Sequence, residues 1–227
     1  MGKHNFDAVG FDLDGTLYPN YRLNIRLIPF VLRELPLLLA LGKARNVLHG
    51  NKGAPPRFSP GEELYVFQAR LMAPLLKAGP EAVREKTERL IYRGWEPVFK
   101  RIAPFPGVRE TLDALRGGGC KLGLLSDFPP EKKLEYLGLG GLWDTVLCSE
   151  LTGILKPATL PFLELARRLG CAPERILYVG NSRRYDIGGA KRAGMGAALI
   201  SWPFKRSCPD ADFVFSDYRK LAQFVLG

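Results

Sequence analysis

The sequence predicts an α/β fold, a doubly wound parallel sheet that also carries a mainly helical region. Three observations predict it. A short apolar run, Ala8-Val9-Gly10-Phe11, has the length of one buried strand and ends in Asp12-Leu13-Asp14-Gly15-Thr16-Leu17. From Val108 onward helical and strand-like segments alternate, as βαβ units require. Between these parts, residues 18–103 carry helical periodicity without a strand signal. The expected division is therefore a core of residues 1–17 and 104–227 and a helical insert of residues 18–103.

The elements follow in order. After the first strand, Tyr18-Pro19-Asn20 reads as a loop leaving the core. Arg22 to His49 is helical, with Leu27, Ile28, Val31, Leu32, Leu35, Leu38 and Leu39 at helical spacing and Pro29 and Pro36 as kink points. Its cations Arg22, Arg26, Arg33, Lys43 and Arg45 suit either a solvated basic face on a packed helix or an anion-facing or membrane-surface side. The packed helix is the favoured reading. The apolar run Leu35 to Leu41 is too short to span a bilayer. Gly50 to Gly61 reads as a loop, and Ser59 with Glu62 matches a capping box for a helix over Glu62 to Lys77. Pro80 to Arg101 reads as one more helix.

In the core, Val108–Arg116 reads as helix and Lys121–Ser126 as strand. Glu131–Leu137 is helical and Thr145–Cys148 a short strand. Pro157–Leu169 is a helix with its proline in the first turn, where proline is tolerated. Ile176–Val179, Gly196–Ile200 and Phe213–Phe215 read as strands. Arg184–Ala193 and Tyr218–Val225 read as helices. In such sheets ligands bind at the carboxyl ends of the strands, and Asp12 lies at one.

Composition narrows the function classes. Of the 227 residues, 46% are hydrophobic and 25% charged, ordinary for a globular chain able to bury a sizeable core. The net charge of +10 favours an anionic partner: a phosphorylated substrate, nucleic acid or an acidic membrane surface. No RNP, zinc-finger or basic-zipper signature is present, so nucleic acid is not expected. Cys120, Cys148, Cys171 and Cys208 are scattered and form no C-x-x-C pair, which suggests free thiols in a reducing cytoplasm. The first strand begins too early for a signal peptide. His4 and His49 are the only histidines and share no motif, so histidine-based catalysis is not expected.

The chemistry concentrates at Asp12 and Asp14. Gly15 lets the backbone turn and bring both carboxylates to one point. Two carboxylates at a strand end form a hard-oxygen site suited to Mg²⁺. One can attack phosphorus while the other handles protons. Further along, Ser126-Asp127 ends a core strand, Lys156-Pro157 precedes a helix, and Gly180-Asn181 leads to Asp186.

Taken together, these stretches resemble the four motifs of the haloacid dehalogenase-like superfamily. The resemblance covers the whole core, from Asp12 to Ala190, and the insert resembles that superfamily's helical cap. It implies a Rossmann-like core and a Mg²⁺-dependent phosphatase acting on a small phosphate monoester. Asp12 is then the nucleophile, Asp14 the general acid and base, and Lys156 a catalytic cation. Thr16, Ser126, Asp127 and Lys156 bind substrate, while Asp12, Asp14, Asn181 and Asp186 hold the metal. Two departures stand out. Asp127 occupies a place where Asn is common, and Asn181 replaces the first acid of Gly-Asp-x-x-x-x-Asp. A phosphomutase or phosphotransferase would use the same residues. A binding protein with a weakened metal site is the reading from another class. The substrate and the oligomeric state are not specified by these motifs.

Overall fold

The structure, a computed structural model, describes residues 6–50, 56, 62–202 and 207–227. His4, Ser59 of the expected capping box, and most of the expected loop before Glu62 lie outside the described residues.

Six strands form one parallel sheet: β1 (Ala8–Phe11), β2 (Lys121–Ser126), β3 (Thr145–Cys148), β4 (Ile176–Gly180), β5 (Gly196–Ile200) and β6 (Phe213–Phe215). Their order is β3-β2-β1-β4-β5-β6. β1 and β4 are buried throughout, which is why both read as continuous apolar runs. Successive side chains of β1 enter opposite cores, Val9 and Phe11 one and Ala8 the other. The first core is covered by α4 (Val108–Gly117), α5 (Glu131–Tyr136) and α8 (Tyr218–Leu226), the second by α6 (Thr159–Leu169) and α7 (Gly188–Arg192). Gly10 sets the spacing to α6, since a Cβ there would stand 2.9 Å from Leu165 Cδ2. The order reverses direction between β1 and β4, so a crevice opens at their carboxyl ends.

The doubly wound sheet expected from the sequence is therefore present, and every expected strand forms. Two helices differ. α6 begins at Thr159, so Pro157 precedes the helix instead of occupying its first turn. The helix expected over Pro80 to Arg101 is broken into α3 (Pro80–Thr87), a π turn (Glu88–Tyr92) and a 3-10 turn (Glu96–Arg101). Gly94 and Pro97 explain the break. A Cβ at residue 94 would meet the Leu90 carbonyl at 2.4 Å, and Pro97 lacks the amide that would continue the helix.

The helical region opens with α1 (Asn20–Leu48) and α2 (Glu62–Leu76). Glu34 leaves helical geometry at φ −119° and ψ 28°, and α1 kinks there. The cause is Pro36, whose ring crowds the carbonyl one turn earlier and whose missing amide removes a helical bond. The buried face of α1 is not the expected one. Leu37, Ala40, Leu41 and Ala44 pack on Ala69, Met72 and Ala73 of α2, while Ile28, Leu32, Leu35 and Leu39 are exposed. The alanines let the two helices approach closely, a packing cue that leucine spacing alone does not carry. Tyr18, expected in a loop leaving the core, is fully buried in the first sheet core beside Phe99. The four cysteines are free. No helix among the described residues is long and apolar enough to cross a membrane.

A buried ion pair joins α1 to the sheet. Arg45, expected among solvated or anion-facing cations, is buried and donates to the carboxylate of Glu150 in the turn after β3. It also donates to the Asp127 carbonyl at 2.8 Å and lies 4.1 Å over the Phe128 ring. Glu150 accepts from Tyr65 of α2 at 2.7 Å and from Tyr92 at 2.9 Å. Removing one partner strands the other charge in a dry interior. Glu150→Ala should therefore lower the thermal midpoint by about 10 °C. The double variant Arg45→Met, Glu150→Leu should recover most of that loss, because apolar replacements of similar size fill the space without a charge. Thermal unfolding of the two variants checks both statements. An unchanged midpoint for Glu150→Ala would show that the pair does not hold α1 to the sheet.

Candidate active site

The chain turn after β1 carries the first carboxylates. Asp12 N donates to the Val179 carbonyl at 2.9 Å, which locks the end of β1 against β4. Gly15 adopts φ 84°, a left-handed conformation that favours glycine. Its missing side chain also makes room, since a Cβ would stand 2.1 Å from Asn181 Nδ2 and 2.4 Å from Asn20 Nδ2.

Lys156 is the centre of the cluster. Its Nζ lies 2.8 Å from Asp12 Oδ1 and 2.8 Å from Asp186 Oδ1. All three side chains are buried. Burial works against the lysine charge, but Asp12 and Asp186 outweigh it and hold the Lys156 pKa well above the ordinary lysine value. Burial pushes the Asp12 carboxyl up to about 7; Lys156 opposes that rise, and Asp186 and Asp14 add to it. Two carboxylates sharing one ammonium leave the cluster one negative charge in excess when all three are ionised. Thr16 Oγ1 donates to Asp12 Oδ2 at 2.7 Å and fixes the plane of that carboxylate.

Asp14 is more open, with 28% of its side chain exposed. It accepts from the Tyr18 hydroxyl and takes both oxygens to Lys133 Nζ, at 2.9 and 2.8 Å. Lys133 comes from α5 and was not expected at the site. Its helix was legible, but nothing local in Glu131-Lys132-Lys133 marks which lysine turns inward. Tyr18 was also missed, although its position four residues after Asp14 places it across one tight turn.

Several expected site residues play other parts. Asp186 Oδ2 accepts from the amides of Asn181 and Ser182 at 3.1 and 2.9 Å, and Oδ1 faces Lys156. Asp186 thus positions Lys156 and the loop after β4 while lining the cavity floor. Asp127 accepts from the Ser149 hydroxyl and from Lys156 N at 3.2 Å, which braces the lysine loop. Burial alone would raise the Asp127 carboxyl, yet Lys156, His49 and Arg45 overcome it and hold it below the usual carboxylate range. Thr16 and Ser126, both expected to touch substrate, do not line the cavity. Thr16 acts through Asp12, and the Ser126 hydroxyl turns back to accept from Phe128 N at 3.2 Å. His49, given no role from the sequence, does line the cavity. Its Nδ1 is 2.6 Å from the Lys156 carbonyl, and its ring packs at a tilt against Tyr185 with centroids 4.6 Å apart. Burial pushes the His49 pKa below the ordinary histidine value, so the ring is neutral near pH 7.

A cavity of about 280 Å³ opens above Asp12. Its floor is Asp12, Asp14, Lys156, Asn181 and Asp186, and its walls include Leu23, Ile91, Trp95, Phe99 and Phe128. Asn181 Nδ2 stands 3.3 Å from the Asp14 carbonyl. That amide nitrogen donates to the carbonyl, and half a turn of the amide, which gives up this bond, would bring its oxygen there when a cation is bound. The Asp12 carboxylate, the Asp14 carbonyl and the Asn181 amide oxygen would then form a compact set of hard oxygens, and the gap left by Gly15 gives it space. That donor set fits Mg²⁺. Among the described residues, no group of three or more His, Cys, Asp or Glu side chains forms a metal site.

The family described as haloacid dehalogenase-like hydrolase matches residues 6–194. The phosphoglycolate phosphatase of Salmonella typhi is 30% identical over 235 residues, covering 96% of this chain and 91% of its own. The glyceraldehyde 3-phosphate phosphatase of Methanothermobacter thermautotrophicus is 40% identical over 106 residues, a match to 45% of this chain and 47% of that protein. The alignment with that archaeal enzyme thus spans about half of its length. Among solved structures, the hydrolase YfnB of Bacillus subtilis bound to magnesium superposes with a TM-score of 0.70 at 16% identity, covering 97% of this chain and 99% of that one, a likeness of fold. With a parallel sheet in the order above, an acid pair closing β1, and a match over most of its length, the chain belongs to the haloacid dehalogenase-like hydrolases.

Proposed function

We propose that the chain hydrolyses a small phosphate monoester through an aspartyl-phosphate formed on Asp12. The observation that carries the proposal is the buried trio of Asp12, Lys156 and Asp186 at the floor of a cavity whose walls are largely apolar. The relatives named as phosphatases support the reaction class.

An oxygen of Asp12 attacks phosphorus in line while the ester oxygen departs. Lys156 and Thr16 each hold one Asp12 oxygen, and each oxygen keeps a second lone pair for the attack. Asp14 gives a proton to the departing alcohol. It then removes one from the water that cleaves the acyl phosphate, which restores Asp12 and releases inorganic phosphate. Tyr18 and Lys133 position Asp14 for both transfers. Lys156 offsets charge on the phosphoryl oxygens. A Mg²⁺ ion held by the Asp12 carboxylate, the Asp14 carbonyl and the Asn181 amide oxygen would neutralise phosphoryl charge when bound.

The cavity walls support an alcohol portion of apolar character. Each cation lining the cavity already faces an anion or carbonyl: Arg45 faces Glu150, Lys133 faces Asp14, and Lys156 faces Asp12 and Asp186. A second acidic group on the substrate would have to displace one of these pairs. Benzyl phosphate should therefore exceed phosphoglycolate in kcat/KM, by about tenfold. Both alcohols are poor leaving groups, so the comparison reads binding more than chemistry. The reverse order would assign Lys133 or Arg45 to a substrate carboxylate.

Three measurements test the mechanism. Asp12→Asn should cut Mg²⁺-dependent hydrolysis of p-nitrophenyl phosphate by about a thousandfold or more. Near-normal turnover by that variant would sink the proposal. The same variant should be more stable than the wild type in metal-free buffer. The folded Asp12 carboxyl is held near 7 against an ordinary 3.8, so the folded state keeps a proton that the unfolded chain loses. Stability from this group therefore falls as pH rises from about 4 to 7, and the amide removes that fall. Thermal midpoints of the two proteins should diverge across that window, with parallel curves counting against it. Finally, Asn181→Asp should reach half-maximal activity at about tenfold less Mg²⁺, because a carboxylate holds a hard cation better than an amide. Unchanged metal dependence would remove Asn181 from the metal shell.

A further inference from the structure

α1 is apolar on both sides. Its inner side packs on α2, as described above. Its outer side exposes Tyr21, Ile25, Ile28, Leu32, Leu35 and Leu39, each between 45% and 79% open to solvent. Their spacing, alternately four and three residues, keeps all six on one stripe of a helix. Pro29 and Pro36 are also exposed, on the border of the same stripe. A continuous apolar stripe of this length on a surface marks a binding face.

The charges beside the stripe indicate what covers it. Arg26, Arg33 and Lys43 are exposed on α1. The helix has one acidic residue, Glu34, and it is engaged by Lys86 at 2.8 Å and by Arg33 at 3.6 Å. The exposed charge of this face is thus entirely positive, on a chain of net charge +10. A second copy would bring like charges together and offer no counter-charge. A coiled-coil pairing would also need a straight seam, whereas the kink at Glu34 falls between Leu32 and Leu35 and bends the stripe. An anionic bilayer supplies both complements, an acyl boundary for the stripe and phosphates for the cations, and it needs no fixed register.

We propose that the outer face of α1 docks on an anionic lipid surface, with the stripe from Ile25 to Leu39 in the acyl boundary and Arg26, Arg33 and Lys43 among the headgroups. The helix would lie in the plane of the surface, without crossing it. Its first turns also line the catalytic cavity through Asn20 and Leu23, so docking brings the cavity mouth near that surface.

Vesicle co-sedimentation of the full chain tests this directly. The protein should pellet with vesicles of equal parts phosphatidylcholine and phosphatidylglycerol and stay in solution with phosphatidylcholine alone. Leu32→Glu, at the most exposed position of the stripe, should lower binding about tenfold or more, and Arg26→Glu with Arg33→Glu should do the same. Neither variant touches the cavity, so turnover of a soluble ester should stay unchanged and report that each is folded. Absence of pelleting with the anionic vesicles overturns the proposal, as does equal binding by the Leu32→Glu protein. A concentration-dependent dimer that Leu32→Glu abolishes, without vesicle binding, would overturn it in favour of a second copy.

Discussion

An ammonium group buried between two carboxylates is the constraint on which this structure depends. Lys156 cannot be dry and unpaired, so Asp12 and Asp186 must stand where they do. They come from three different places: the end of β1, the loop before α6 and the turn after β4. The only point where these converge is the crevice at which the strand order reverses. Gly180 is fitted to the same constraint, because a Cβ there would stand 2.3 Å from Asp186 Cβ. The sheet topology and the charge cluster are therefore one arrangement seen at two scales.

A second buried pair, Arg45 with Glu150, repeats that logic where α1 meets the sheet. It uses a helix cation and a loop acid, and it recruits the hydroxyls of Tyr65 and Tyr92. Four separate segments thus depend on one carboxylate. The Arg45 side chain also roofs Phe128, a wall of the cavity. Shape on the substrate side and attachment of the helical region are consequently coupled through the same guanidinium.

The parts of the site that were legible in the sequence are those in which chain spacing itself does the positioning. Asp12, Asp14 and Gly15 lie in one turn, and Lys156 is placed by the strand and helix on either side of it. The parts that were not legible depend on partners distant in the chain. Lys133 is one of two adjacent lysines, and only the packing of α5 selects it. Arg45 looked like a surface cation until Glu150, far along the chain, was brought beneath it. Which side of α1 is buried could not be read from leucine periodicity, because leucine occurs all around the helix. The alanines facing α2 decide it. The hydrogen bonds that Asp186 makes were not legible for a related reason. A motif names the residue type but not the hydrogen bonds that already occupy its oxygens.

Asn181 acquires a physical meaning in this setting. Asp12 and Asp186 already share one lysine, and Asp14 already needs Lys133. A further carboxylate at position 181 would face the same crevice with no cation of the protein left to meet it among those described at the site. Such a site would be strained until a divalent ion arrived. The amide removes that charge, so the metal-free protein is less penalised, and under the proposed mechanism it would offer the ion a carbonyl oxygen with a weaker pull. Asp186 meanwhile faces Lys156 and two backbone amides. Under that mechanism the amide therefore shifts the balance between stability without the ion and affinity for it, and leaves Asp12 and Lys156 in place.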